Sequence, residues 1–273
     1  MTSAPPSPPG VDSALLPVID WQQPWFAPYR ELGRPVAARV AQGVSVAQAL
    51  NAQRGALAPR FVGPQAHGSE AYEAFVARTS CVPTRDNAHD FFNGLGWLRF
   101  AALKRRLNRL HAQELARHGV APVRGAVRDA LTLFDESRAL FSAAPVLLEA
   151  LRQRRWTDLC VAQRGLWDQA RLTLVGHALL EKLVQPRQAI TAHVWFTEPG
   201  SLEDASGSWA GFNPAVRADA PLPVLGVPGW WPANQMPGFY ADAAVFRPGD
   251  FDAAVVRPAG SLRSTDSARP CRS

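Results

Sequence analysis

The sequence predicts a predominantly helical α+β fold with a few strands in its second half. Three observations point there. Apolar residues recur at helical spacing through the earlier part of the chain, as in Leu103, Leu107, Leu110 and Leu115. Around residues 189–197 the period changes to two, with Ile190, Ala192, Val194 and Phe196 alternating with Thr191, His193, Trp195 and Thr197. From residue 198 onward Gly and Pro dominate, which marks a loop-rich C-terminal region.

Residues 1–14 are rich in Pro and Ser and are expected to be disordered. Residues 15–29 set Trp21, Trp25, Phe26 and Tyr29 among prolines, an extended segment pinned by its aromatics. Residues 31–53 read as helix interrupted near Gly43, with Ser45 capping a second short helix. A further helix is expected to open at Ser69, turn Tyr72, Phe75 and Val76 inward, and end near Cys81. Asp86 is expected to cap the next helix, from Asn87 to about Phe100, because its carboxylate can accept the free N–H groups of a first turn.

Residues 101–118 form an amphipathic helix whose Lys104, Arg105, Arg106 and Arg109 lie off the apolar stripe, with Gly119 as its stop. Residues 124–143 fit two patterns: a helix through Val127, Leu131 and Phe134, or strand, turn, strand around Asp135-Glu136-Ser137-Arg138. Residues 146–163 read as helical, with a basic cluster at Arg152, Arg154 and Arg155. Residues 166–184 read as the most buried helix, nearly without a polar face, ended by Pro186. A short strand fits 222–227, and residues 259–273 form a Ser- and Arg-rich tail expected to be disordered. One globular domain over residues 15–258 accounts for this pattern.

The 273 residues, 47% hydrophobic and 19% charged, suit a globular chain with a sizeable core. No apolar run reaches the ~18 residues of a membrane span, and residues 1–10 have neither a basic residue nor an apolar stretch of signal type. A cytoplasmic protein with no membrane partner is expected. Cys81, Cys160 and Cys271 are odd in number, far apart and form no C-x-x-C, which argues against a disulfide framework or a cysteine zinc site. The net charge of +6 is carried almost wholly by arginine, Lys104 and Lys182 being the two lysines. Arginine suits phosphate, although a compositional bias toward Arg and Ala explains the excess as well. The G-x-S-x-G, Walker and Rossmann glycine patterns are absent, so serine nucleophile, nucleotide hydrolysis and dinucleotide chemistry lack support.

Residues 83–93 gather the densest set of acid/base and ligand-type side chains. Asp86, Asp90 and Asn93 share a helix face, with His89 four residues from Asn93. Capping explains Asp86; it does not explain His89 or Asn93. The second constellation is His177 with Glu181, four apart in a strongly apolar run. Two readings fit this pair: an internal hydrogen bond between buried polar groups, or two metal ligands one turn apart. Gly176 before it allows another segment, such as the 86–93 turn, to approach closely. H-x-x-x-E lacks the second His of H-E-x-x-H, so zincin chemistry is not supported. His193 fits either a third ligand or a surface residue. His67, His111 and His118 fall in loop or exposed-helix contexts.

Pro83-Thr84-Arg85-Asp86-Asn87 with His89-Asp90-Phe91-Phe92-Asn93, Arg128-Asp129-Ala130-Leu131-Thr132-Leu133-Phe134-Asp135-Glu136, Gly176-His177-Ala178-Leu179-Leu180-Glu181-Lys182, Ala189-Ile190-Thr191-Ala192-His193 and Leu225-Gly226-Val227-Pro228-Gly229-Trp230-Trp231-Pro232 together resemble the bacterial domain-of-unknown-function family 3025. The resemblance spans roughly residues 15–250 and implies no activity. The family tends to place Asn-Gly after the Asp-Glu pair, where this chain has Ser137-Arg138.

The functional expectation is a metal-assisted hydrolase-type enzyme. His89, Asp90, His177 and Glu181 would hold a divalent metal ion, with Asp86 or Asp135 as orienter or general base. Arg85 and Arg128, with Asn93, would hold a small anionic substrate, a phosphate among the candidates. The alternatives are a non-catalytic protein that binds nucleic acid through the arginines of 101–118 and 152–155, and a structural protein whose polar motifs knit its core. The enzyme reading requires His89 and His177 to meet across 88 positions of sequence.

Overall fold

The computed structural model describes residues 15–119, 125–197 and 220–249. The predicted class holds: helices predominate, and strands form a two-stranded and a four-stranded sheet. The terminal segments expected to be disordered, and residues 198–219 of the loop-rich C-terminal region, lie outside the described residues.

The turn Pro24–Tyr29 buries Trp25, Phe26 and Tyr29 almost completely, and the Tyr29 hydroxyl donates to the Leu174 carbonyl at 2.8 Å. Helix α1 (Arg30–Ala41) and α2 (Val46–Asn51) are separated at Gly43, whose φ of +86° is a left-handed conformation that favours glycine. Ser45 caps α2 through Gln48 N. Strands β1 (Arg60–Val62) and β2 (Cys81–Pro83) pair in parallel around α3 (Tyr72–Thr79). The N-cap of α3 is Ala71, not Ser69, and it makes no side-chain capping bond.

Helix α4 (Ala88–Arg99) follows, capped by Asn87 rather than by Asp86. Asn87 has extended backbone, the conformation of an N-cap, and its Oδ1 accepts from Asp90 N at 2.8 Å. Asp86 is thereby left outside the helix, and its carboxylate accepts from Val46 N at 2.7 Å, tying the start of α2 to the start of α4. Helix α5 (Ala101–His118) follows the predicted bounds and ends at Gly119.

The ambiguous stretch is helix and then strand, with no hairpin. Helix α6 (Ala126–Ser137) passes directly into β3 (Arg138–Ser142), all five residues of which are buried. Leu131 and Phe134 face a small core cluster with Leu103, Leu107, Leu140 and Val175, which holds α6 against α5 and the sheet. After α7 (Pro145–Arg152) the chain makes a turn at Asp158–Ala162.

The long buried helix expected over 166–184 does not form. Leu166–Gln169 belongs to a 3-10 helix (Arg164–Gln169), the apolar run is strand β4 (Arg171–Leu174), antiparallel to β3, and α-helix is confined to α8 (His177–Lys182). An unbroken apolar run fits a buried strand as well as a buried helix, and the available partner edge of β3 decides. β5 (Thr191–Phe196) lies parallel to β3 on its other side, and β6 (Ala220–Pro223) closes the order β4-β3-β5-β6. No helix among the described residues is long and apolar enough to cross a membrane. Cys81 and Cys160 are free thiols.

Candidate functional site

Four helices bring the polar residues together. His89 is the second residue of α4, His177 the first of α8, and α4 and α8 pack along each other. The position of α8 depends on Gly176. A Cβ there would meet the backbone of Glu136 and Ser137 at 2.4–2.6 Å, so a larger residue would push α8 off the end of α6. The segment that Gly176 admits is therefore the C-terminus of α6, not the 86–93 turn. That contact carries Asp135 to His177.

The two imidazoles meet through their Nε2 atoms, 3.0 Å apart. Each Nδ1 faces an acceptor: His89 Nδ1 lies 3.0 Å from Glu181 Oε2, and His177 Nδ1 lies 2.8 Å from the Asp135 carbonyl oxygen. A carbonyl oxygen only accepts, as does an ionised carboxylate, so both Nδ1 atoms must donate. A neutral imidazole carries one proton. Satisfying all three contacts at once needs three protons on two rings, hence one imidazolium. With both rings neutral, the Nε2 lone pairs face each other.

The surroundings favour neutrality at His177. Its side chain is 7% exposed, and burial pushes its pKa down to about 4, with Lys104 and His89 adding to the shift and Asp135 opposing it. His89 stands in the first turn of the twelve-residue α4. His89 and Glu181 are more open, 37% and 39% exposed. The pair thus has a buried and an accessible end.

Behind His177 lies a second polar chain. Lys104 Nζ donates to Asp135 Oδ1 at 2.5 Å and to Asn93 Oδ1 at 2.7 Å, and Asn93 Nδ2 reaches the Tyr72 hydroxyl at 3.3 Å. Burial alone would raise the Asp135 pKa, but Lys104 and then His177 outweigh it and hold the carboxyl below its usual value. Burial raises the Tyr72 phenol. Two cavities flank this wall and share Tyr72, Asp135 and His177. One, of about 290 Å³, also takes in His67, Arg85, His89 and Asp90. The other, of about 160 Å³, reaches Glu73, Trp97, Asn108 and His111.

The predicted residues divide by where their polar atoms go. His89, His177, Glu181, Asp135 and Asn93 belong to one network. Asp90 lines the larger cavity, but its carboxylate closes on Arg85, accepting from the backbone N at 2.6 Å, Nε at 3.1 Å and Nη2 at 2.9 Å. Glu181 stands behind His89, on Nδ1, rather than beside the Nε2 atoms. Asp86 is engaged at α2. Arg128 lies two turns before Asp135 on α6 and lines neither cavity. The four expected ligands therefore do not surround one point, and among the described residues no three His, Cys, Asp or Glu side chains are grouped to hold a metal ion. His193 sits on β5 opposite Arg138 and lines neither cavity.

Lys104 is the functional residue that the sequence reading misplaced. It is 6% exposed and turned inward, which removes it from the basic face of α5. The signal was present: Lys104, Asn108 and His111 recur at four and three residues beside the apolar stripe, and all three are buried. His67 was set aside as a loop residue, yet it lines the larger cavity.

Residues 60–250 match the family model described as "Protein of unknown function (DUF3025)". No curated protein and no solved structure matches the chain. The chain belongs to the DUF3025 family.

Proposed function

We propose that this DUF3025 protein is a metal-assisted hydrolase-type enzyme for a small anionic substrate, with His89 and His177 as ligands to one divalent transition-metal ion through Nε2. The observation that carries the reading is the proximity of the two Nε2 atoms while both Nδ1 atoms are committed to acceptors. Metal-binding histidines characteristically donate their other ring N–H to a carboxylate or a backbone carbonyl, which fixes the tautomer. Glu181 does this for His89, and the Asp135 carbonyl does it for His177. A cation between the Nε2 atoms resolves the lone-pair conflict that two neutral rings leave.

The ion would supply Lewis acidity and a water acidified by coordination. Glu181 and Asp135 orient the rings and do not themselves ligate. Asp135, held low by Lys104, is a poor proton acceptor and serves as orienter. Asp90 fixes Arg85, whose side chain remains 62% exposed at the cavity rim, where its guanidinium can meet a substrate anion. The nucleic-acid alternative loses Lys104 from its basic helix.

The test is metal content of protein purified without chelator, followed by Co(II) and Zn(II) titration of the wild type, His89→Ala and His177→Ala. The expected result is one ion per wild-type chain, lost in both variants, with hydrolysis of aryl phosphates or aryl esters removed by chelator and restored by metal. A folded wild type that takes up no stoichiometric metal would overturn the reading and leave the pair as internal scaffold.

A further inference from the structure

The basic cluster after α7 takes no part in the histidine site, and its three arginines differ in their engagement. Arg152 pairs with Glu149 at 3.7 Å and lies over the Phe196 ring, and Arg155 pairs with Asp158 at 2.6 Å. Arg154 has no acidic partner among the described residues. It lines a third cavity, of about 390 Å³, together with Arg247, Trp156, Thr191, Pro221 and Pro223. Arg247 also has no acidic partner among the described residues. No carboxylate lines this cavity, and it shares no residue with the two cavities that flank His177. Two guanidiniums therefore give one concave wall a positive charge.

The backbone at Arg154 is a second, independent observation. Arg155 N donates to the Ala150 carbonyl at 2.9 Å and Arg154 N to the Leu151 carbonyl at 3.0 Å, the paired bonds of a Schellman ending to α7. This ending sets Arg154 at φ +53°, a left-handed conformation that glycine adopts freely and arginine does not. An arginine held there against its backbone preference points to work for the side chain. Arg247 is fixed to the same turn. Its carbonyl oxygen accepts from Trp156 Nε1 at 2.8 Å, and a Cβ at Gly249 would meet the Gln153 carbonyl oxygen at 2.2 Å, so residues 247–249 lie directly on the end of α7. Strand β6 is the edge of its sheet, and Pro221 and Pro223 have no N–H, which keeps a further strand from adding there.

We propose that this cavity binds a small organic dianion, an apolar body that carries a phosphate monoester or two carboxylates. The Arg154 and Arg247 guanidiniums take the charged head, since their planar forks match the oxygens of phosphate and carboxylate. Trp156 and the two prolines take the body. The volume is that of a small-molecule site. The proposal does not depend on the metal reading of His89 and His177.

The test is titration of the full chain with phenyl phosphate and with phthalate, for wild type, Arg154→Gly and Arg247→Gln, read by calorimetry and by the ¹H–¹⁵N signal of the Trp156 indole. The expected result is saturable one-to-one binding of at least one of the two anions, the tighter one identifying the head group. The Trp156 signal should shift with it, and affinity should be weaker by ~10-fold or more in both variants. Inorganic phosphate, which lacks the body, should bind more weakly than the tighter anion. Arg154→Gly relieves the positive φ, so it should melt no lower than wild type, which separates lost binding from misfolding. A Trp156 signal that neither anion moves, or equal affinities in wild type and variants, would overturn the proposal. A glycine variant that melts lower and binds equally would leave Arg154 as a cation serving the α7 dipole. A single-stranded oligonucleotide that binds tightly while both small anions fail would also overturn it, in favour of a phosphate-tracking surface.

Discussion

Asn234 and His177 are both buried polar residues on short helical turns, and their surroundings differ in one respect. Asn234, fully buried on the turn Pro232–Gln235, donates to the carbonyls of Leu225 and Val227 at 2.8 and 2.7 Å and accepts from Arg164 Nη2 at 3.0 Å. Arg164 Nη1 reaches the Asn234 carbonyl at 3.1 Å, and Tyr240 OH reaches the Gly226 carbonyl at 2.9 Å. Donors match acceptors throughout, and the knot pins the C-terminal turns to the body. At His177 the contacts are equally short, but neutral rings lack the proton that the Nε2 contact needs, and cavities open on both sides. Burial of polar groups alone therefore does not mark a site. A mismatch in protons beside open space does.

The comparison breaks most sharply at the closed knot. Asn234→Ala strands two carbonyls and leaves Arg164 without the amide; leaving buried groups unpaired should cost ~3–5 kcal/mol, read as a fall in the urea midpoint, with metal uptake unchanged if the protein remains folded. Lys104→Met removes the cation that holds Asp135 low and should cost ~3 kcal/mol, because one member of a buried pair is left alone. The double variant Lys104→Met with Asp135→Leu should regain a good part of that loss. If the double variant is as unstable as the single, the pair is not what stabilises the wall.

A third effect is smaller and depends on pH. The folded His177 pKa is lowered from 6.5 to about 4, so between those values the unfolded chain binds more protons than the folded one. The contribution is whole above pH 6.5 and is lost as pH falls through 4, on the order of 2–3 kcal/mol. Asp135, also lowered, acts in the same direction at lower pH. Stability measured from pH 7 to 4 should fall more steeply for wild type than for His177→Gln; parallel curves would contradict a buried neutral imidazole. The smallest effect is expected at Arg85→Ala. The arginine side of the Arg85–Asp90 pair is exposed, and the buried Asp90 keeps the Arg85 backbone N–H, so the loss should be about 1–2 kcal/mol, visible as a slight shift in melting temperature.

Much of this was written in local pattern. The 3.6-residue stripe of α5, the alternation of β5 and the break at Gly43 are each fixed within a few neighbouring residues, so the sequence shows them. Strand β4 was not legible, because Leu172 and Leu174 suit either structure until β3 lies beside them. In the site, His89 stood out within the dense polar stretch 83–93 and His177 as a polar residue in an apolar run. The fate of Asp90 did not, since its partner Arg85 reaches it through a loop whose closure only the fold defines. Lys104 was hidden among the neighbouring arginines of α5, and His67 by its place on a turn.

Nitrogen-15 NMR of the imidazoles in metal-free protein near pH 7.5 tests the central claim most directly. The account predicts that His89 and His177 both carry their proton on Nδ1, with both Nε2 atoms unprotonated, and that Zn(II) moves both Nε2 signals together. A proton on either Nε2 at that pH, shared between the rings and unaffected by Zn(II), would contradict it.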